Sequence, residues 1–147
     1  MKDTTYSDAQ ALAERVRDTM FATDQAAHAL GMEVTAVTPG HASVAMTVRA
    51  DMLNGFGICQ GGLIATLADM AFAYACNSYN ELTVASGFDV DLLGPGREGD
   101  RLTASGAVVS QGSRMGVYDI TVSNQNGERI AVFRGRSYRM KGKQVVT

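Results

Sequence analysis

An α+β fold, with one long helix wrapped by a curved antiparallel sheet, follows from three observations in the 147-residue sequence. Between positions 63 and 76 every residue is apolar except Thr66 and Asp69, and a helix that is apolar all round must be covered on most sides. Six segments read as strands, two before this helix and four after it, with two-residue alternation in 41–49, 82–93 and 114–123. The last four are joined by short turns and predict an antiparallel meander. A curved sheet covers much of such a helix. One face is left over, and a second subunit is its natural cover.

In chain order, Ser7 with Gln10 three positions on fits a capping box. A helical pattern follows through Leu12, Val16, Met20, Phe21, Ala27 and Leu30, with a break near Thr23-Asp24 and Gly31 as the C-terminal cap. A short strand is expected over 32–38, then the Pro39-Gly40 turn. In 41–49, Ala42, Val44, Met46 and Val48 alternate with Ser43, Thr47 and Arg49. A loop spans 50–59, and the central helix runs from Gly61 to Asn77 or Ser78. Strands follow over 82–93, 100–111, 114–123 and 128–140. Their turns are the Gly- and Pro-containing 94–99, Gly112-Ser113, and 124–127 with its Asn-Gly pair. Residues 1–31 thus form an N-terminal helical segment of one domain over 1–147, and 141–147 reads as a frayed tail.

Apolar content of 46% and charged content of 19% are ordinary for a soluble protein. No apolar run reaches the ~20 residues that cross a bilayer, which argues against a membrane protein. Lys2-Asp3-Thr4-Thr5 leads into an acid-containing amphipathic stretch, unlike a signal peptide. Two cysteines, Cys59 and Cys76, are too few for a disulfide framework and are not spaced as zinc ligands. No metal or cofactor is called for, and the chain reads as cytoplasmic. The net charge of −2 divides unevenly: residues 1–96 carry 4 basic and 11 acidic side chains, residues 97–147 carry 9 and 4. The basic part suits either solvated strand faces or an anionic ligand. No basic-aromatic run points to nucleic acid.

Two features of the central stretch carry chemistry. The helix start at Gln60-Gly61-Gly62 has free backbone N–H groups at the positive end of the helix dipole. Its glycines let an oxygen approach the backbone, which suits polarisation of a carbonyl. Asp69 is the lone charge of the helix. Either it is a structural acid bonded to Thr66 or to a partner, or it is a general base or nucleophile. A tight turn is the other reading of the glycines, and a plain turn residue the other reading of Asn54 before Gly55. Asp69 lies eight residues beyond Gly61, ~12 Å along the axis, too far for both to act on one carbonyl carbon. Two antiparallel copies of the helix across a two-fold axis would bring Gly61 of one chain beside Asp69 of the other. His28 and His41 lie away from this stretch.

The segments 52–55, 59–62, 67–77 and 95–100, with Asn54, Gly61 and Asp69 in register, resemble the hotdog-fold thioesterases. The likeness covers nearly the whole chain and is greatest to the PaaI-type branch associated with phenylacetate degradation. The resemblance implies a hotdog fold, a homodimer required for the site and a homotetramer built as a dimer of dimers. It also implies hydrolysis of acyl-CoA, with phenylacetyl-CoA and its hydroxylated forms as typical substrates. In that frame Asp69 is base or nucleophile, the Gly61 N–H polarises the thioester, and Asn54 orients substrate or water. Gln60 stands where the family usually has His, and Phe56 where this branch often has His. Gln60 can hold the thioester by hydrogen bonds but cannot donate a proton as imidazolium does, whereas Phe56 can pack on an acyl group. Gly62 and Ser86 join the candidate substrate contacts, and Arg114, Arg134 and Arg136 are candidates for the CoA phosphates. The competing readings are a non-catalytic acyl-CoA binder or sensor and, last, a 3-hydroxyacyl dehydratase, for which the motif lacks a His.

Overall fold

Hydrogen bonds at the caps set the first helices of the computed structural model, in which residues 4–147 are described. Helix α1 spans Thr4–Ala22, so Ser7 lies inside it and does not cap it. Gln10 turns its Nε2 to Glu14 Oε1 (3.0 Å) and to the Val37 carbonyl (2.9 Å) instead. The break falls at Thr23-Asp24. Asp24 caps α2 (Gln25–Ala29) by accepting the Ala27 N–H at 3.1 Å. Gly31, at φ +66°, ends it: its N–H reaches the His28 carbonyl (3.1 Å) and the Met32 N–H that of Ala27 (2.9 Å), the paired bonds of a Schellman end.

Six strands follow: β1 (Glu33–Thr38), β2 (His41–Thr47), β3 (Thr83–Leu92), β4 (Arg101–Gln111), β5 (Met115–Ser123) and β6 (Arg129–Arg139). They form one sheet in the order β1-β2-β4-β5-β6-β3, every neighbouring pair antiparallel. The expected four-strand meander is therefore corrected. Only β4-β5-β6 is a meander, and β3 lies at the far edge against β6. The connection 93–100 crosses the end of the sheet. Three strand spacings are roughly 14 Å, well within eight residues at ~3.3 Å each. On its way the segment accepts the Cys59 N–H through the Gly96 carbonyl at 2.7 Å, so it passes directly over the start of the central helix.

That helix, α3, spans Gly61–Asn77. The sheet wraps it because the inward residues of β2 and β4–β6 are apolar. Met46, Leu102, Tyr118, Ile120 and Phe133 are all buried. Phe72 fills the middle, its ring centroid 5.6 Å from that of Tyr118 and 5.8 Å from that of Phe133. It fits because position 135 is Gly: a Cβ there would sit 2.9 Å from three atoms of the Phe72 ring. Ile64, Leu67, Ala68, Ala71, Phe72 and Ala75 face this core. Gly62, Thr66, Asp69, Met70 and Ala73 remain partly or fully accessible. They recur every three or four residues and so make one stripe along the helix. On the edge strand β3, Val84, Phe88 and Leu92 are exposed as well.

The C-terminal end of α3 is fastened by side chains. Asn77, 4% exposed, donates Nδ2 to the carbonyls of Ala73 (2.9 Å) and Thr83 (3.0 Å) and accepts the Thr83 N–H at 2.9 Å. Ser78 donates to the Ala75 carbonyl and accepts the Gly40 N–H, both at 2.7 Å. Asn80, at φ +64°, accepts the N–H groups of Val145 and Val146 and donates to the Val146 carbonyl. The tail expected to fray is pinned to the body by these bonds.

Candidate active site

At the other end of α3 the chain leaves its donors open. Gln60 is the N-cap and uses no side-chain bond for it. Its backbone is held on both sides: the N–H reaches the Met52 carbonyl (2.8 Å), and the carbonyl accepts from Leu63 (2.9 Å). Among the described residues nothing accepts from the N–H groups of Gly61 or Gly62. A helix start in this state attracts the partial negative charge of a carbonyl oxygen. A Cβ on Gly61 would come within 2.5 Å only of Cδ1 at the tip of the exposed Leu92 side chain, which can turn aside. Gly62 has open space around it.

Asn54 approaches this start because it organises the loop before it. Its Oδ1 accepts the Phe56 N–H (2.9 Å) and the more distant Ile58 N–H (3.4 Å). Gly57, at φ +76°, completes the turn. The turn role and a site role coexist: the carbonyl oxygen is committed to the loop and the Nδ2 protons are not. A groove of about 500 Å³ runs here, lined by Asn54, Ile58, Gly61, Ile64, Leu92 and Pro95 among others. Leu92, Leu93 and Pro95 belong to it and were not anticipated. Their only sequence signal was the Gly-Pro-Gly turn, which looked like a hairpin and not like a roof over α3. Phe56 stands at the loop tip, 91% exposed. Cys59 also lines the groove, but it is buried and burial pushes its thiol up, which disfavours a thiolate nucleophile.

Asp69 is outside that groove, on the accessible stripe of the same helix. Thr66 is not its partner, because the Thr66 hydroxyl donates to the Gly62 carbonyl at 2.8 Å. Among the described residues no hydrogen bond or ion pair reaches the Asp69 carboxylate. Half-buried without a partner, it is pushed above the ordinary aspartate range by desolvation. That is the environment of a carboxylate poised to take up a proton.

The remaining predicted residues lie elsewhere. Ser86 sits at a bulge of β3 and donates to the Arg136 carbonyl at 3.1 Å. Arg134 makes a two-pronged pair with Asp119 (2.7 and 2.8 Å) across β5 and β6, which holds the Asp119 carboxyl below its ordinary range. Arg136 pairs with Asp89 of β3 at 2.7 Å. Arg114 donates to the Tyr138 hydroxyl at 3.0 Å, outside the groove. No group of three His, Cys, Asp or Glu among the described residues is placed to hold a metal ion. No described helix is long and apolar enough to cross a membrane.

A sheet of this order curled round one helix is the hotdog fold, and its open helix start with an acid two turns on is suited to thioester chemistry. Residues 56–131 match the model of the thioesterase superfamily. The acyl-coenzyme A thioesterase PaaI of Escherichia coli is 49% identical over 84% of this chain and 88% of its own. The structure of the E. coli PaaI protein, from the phenylacetic acid degradation operon, superposes with a TM-score of 0.89 at 46% identity, covering 91% of this chain and 97% of that one. A Streptococcus mutans protein solved with acetyl-CoA superposes at 0.74 and 26% identity, over 77% of this chain and 91% of its own. The chain belongs to the thioesterase superfamily. Within it the chain falls with the PaaI-type acyl-CoA thioesterases and is an enzyme of that hydrolase class.

Proposed function

We propose that this enzyme hydrolyses acyl-CoA thioesters with an arylacetyl group, of the phenylacetyl-CoA or hydroxyphenylacetyl-CoA type, at a site shared between two copies of the chain in the cytoplasm. The observation that carries the shared site is the separation of its halves. Gly61 and Asn54 face one groove, and Asp69 stands ~12 Å along the helix on a stripe the chain leaves uncovered. Antiparallel packing of two α3 helices covers both stripes and sets each Asp69 beside the other copy's helix start. A homotetramer made as a dimer of dimers extends the same arrangement.

In that site the thioester carbonyl oxygen accepts from the Gly61 N–H, so charge developing on it is met by a fixed donor. The free Nδ2 of Asn54 and the amide of Gln60 orient the thioester and the incoming water. Asp69 of the other copy either takes a proton from water as it attacks the acyl carbon, or attacks that carbon itself to form an anhydride that water then opens. In both routes the C–S bond breaks and CoA leaves as a thiolate that water protonates. In the first the acid keeps the water oxygen; in the second water opens the anhydride at the aspartyl carbon, so the acid keeps an oxygen of Asp69 and the carboxylate regains one from water. Gln60 supplies no proton, and a weakly basic thiolate needs none. Phe56 offers an exposed ring for the aryl group, which supports the arylacetyl class together with the E. coli relative's operon.

The test is turnover of a panel of aryl- and fatty-acyl-CoAs, read by a thiol-trapping dye. Phenylacetyl-CoA or a hydroxylated form is expected to give the highest kcat/KM. A preference for long fatty-acyl groups would overturn the arylacetyl class. A protein that light scattering finds monomeric while it turns over substrate would overturn the shared site. Single turnover in oxygen-18 water separates the two roles of Asp69, since only the nucleophilic route leaves label in the aspartate.

A further inference from the structure

The basic charge of the C-terminal third is not spent where the resemblance points. Arg134 and Arg136 are neutralised by Asp119 and Asp89. A second group of cations lies at and just past the end of β6, in a cleft of about 440 Å³ lined by Arg139, Lys141, Lys143, Ser113, Gln144 and Glu81. Glu81 is the one acid of that lining, against three cations.

Arg139 is the built part of the cleft. Its side chain is only 13% exposed, and its guanidinium carbon lies 5.3 Å from the centroid of the Tyr79 ring, which fixes it in place. Glu81 Oε2 is 3.3 Å from its Nε but off the N–H direction. The buried Nε has no hydrogen-bond partner. That Nε faces Glu81 and is closed to a ligand; the terminal N–H groups of the guanidinium make no hydrogen bond among the described residues and are the donors left for one. Lys141 and Lys143 are presented on a tight turn. The Lys143 N–H bonds the Met140 carbonyl (3.0 Å), and Gly142 holds φ +80°. Leu82 anchors that turn on both sides: its N–H meets the Lys143 carbonyl at 3.0 Å, and its carbonyl meets the Met140 N–H at 2.7 Å. The Asn80 clamp on Val145 and Val146 holds the segment that follows. The cleft is therefore formed before any ligand arrives, and it joins a planar guanidinium to two mobile ammonium groups, a donor set suited to a phosphate.

We propose that this cleft, at Arg139, Lys141 and Lys143, is a phosphate-binding site. Its ligand is a phosphomonoester or diphosphate. Two sources have that chemistry: the nucleotide end of a CoA thioester, or a separate phosphorylated metabolite. The first rests on the hydrolase reading above. It is sterically reasonable, because the end of α3 lies eight residues beyond Asp69, ~12 Å along the axis, a span that a pantetheine arm bridges. The second does not depend on that reading.

Adenosine 3′,5′-bisphosphate, which has the phosphates and no thiol, is the probe, titrated calorimetrically into the whole protein. Binding at low ionic strength is expected, about tenfold weaker in the Lys141→Ala/Lys143→Ala double variant and largely lost near 1 M salt, where the Debye length is ~3 Å. Both lysines are exposed, so the variant folds. No binding by the wild type, or equal binding by the variant, overturns the site. The source is then read from the ratio of kcat/KM for a CoA thioester to that for its pantetheine thioester. A ratio that falls several-fold in the double variant assigns the cleft to the CoA tail. An unmoved ratio, with bisphosphate binding lost, assigns it to a separate ligand. Absence of all turnover would overturn the hydrolase reading and leave the calorimetric result standing.

Discussion

The two ends of α3 are built on opposite plans. At the C-terminal end Asn77, Ser78 and Asn80 bind neighbouring backbone groups of the helix, of β3, of the β1–β2 turn and of the tail. At the N-terminal end Gln60 has no capping bond, and Gly61 and Gly62 keep their N–H groups unsatisfied. One helix thus has an end closed by side-chain bonds and an end whose donors stay open, where the proposed site lies. Asp69 is left open in the same way: like the glycine N–H groups, it has no partner among the described residues. Groups left unsatisfied cost stability, and here they are the ones to which the proposed mechanism gives the chemistry. Changes at the N-terminal half should therefore move activity more than stability, and changes at the C-terminal end the reverse.

The largest expected effect is at Asp69. Asp69→Asn keeps the shape and removes the base, so kcat/KM should fall by at least ~100-fold, the usual scale for a lost general base. Stability should move the other way. Burial raises the folded-state pKa of Asp69 above the ordinary 3.8, so the charged form is the one disfavoured on folding. Below 3.8 wild type and variant should melt alike. As pH rises through the raised pKa, the wild type alone bears the cost of a buried charge, and the variant's advantage in Tm should open and then level off. Thermal melts from pH 3.5 to 8 measure this. A wild type that melts higher at pH 7 would mean that a second copy's helix start already satisfies the carboxylate.

Asn77→Ala tests the opposite end. It removes three buried hydrogen bonds and leaves the Thr83 N–H and carbonyl without those partners. The cost should be about 3 kcal/mol, or roughly 9 °C of Tm at ~3 °C per kcal/mol for a domain of this size. Below the new melting point kcat/KM should stay within about twofold. A stable but inactive Asn77→Ala protein would break the division between the two ends.

How far the sequence alone led depends on whether each feature is local. The break at Asp24, the cap at Gly31 and the span of α3 were legible because each is decided within a few residues by capping and apolar pattern. The place of β3 was not, because the 94–99 turn has the composition of a hairpin whether it returns to the adjacent strand or crosses the sheet end. Long-range contacts distinguish the two: the pairing of β3 with β6 and the Cys59–Gly96 bond, between residues 37 positions apart. The same non-locality hid Leu92 and Pro95 from the groove. It also made Arg134 and Arg136 look available, since their acids, Asp119 and Asp89, are brought up by strand pairing. Asp69 and Gly61 could be singled out as candidates because a charge in an apolar run and a glycine pair at its start are anomalies that need no tertiary context to notice.

The smallest expected effect is at Gln60. Its backbone is fixed by Met52, Leu63 and Ile64, whereas its side chain makes no cap and is exposed. A different side chain should therefore be tolerated with little change in Tm. Gln60→His puts an imidazole, with an ordinary pKa near ~6.5, at the helix start, beside which the proposed shared site sets the Asp69 carboxylate of a second copy. The wild-type profile should rise in acid as Asp69 ionises and then run level through neutrality. The variant should gain a second limb near pH 6.5, with a change of only a few-fold on either side, because an imidazolium that protonates a departing thiolate helps a step that is already easy. A pH profile of kcat/KM for both proteins on one arylacetyl-CoA decides the matter. A new limb assigns position 60 to the leaving group. Two superimposable profiles would place its side chain outside the reacting atoms and leave the helix start acting through Gly61 alone.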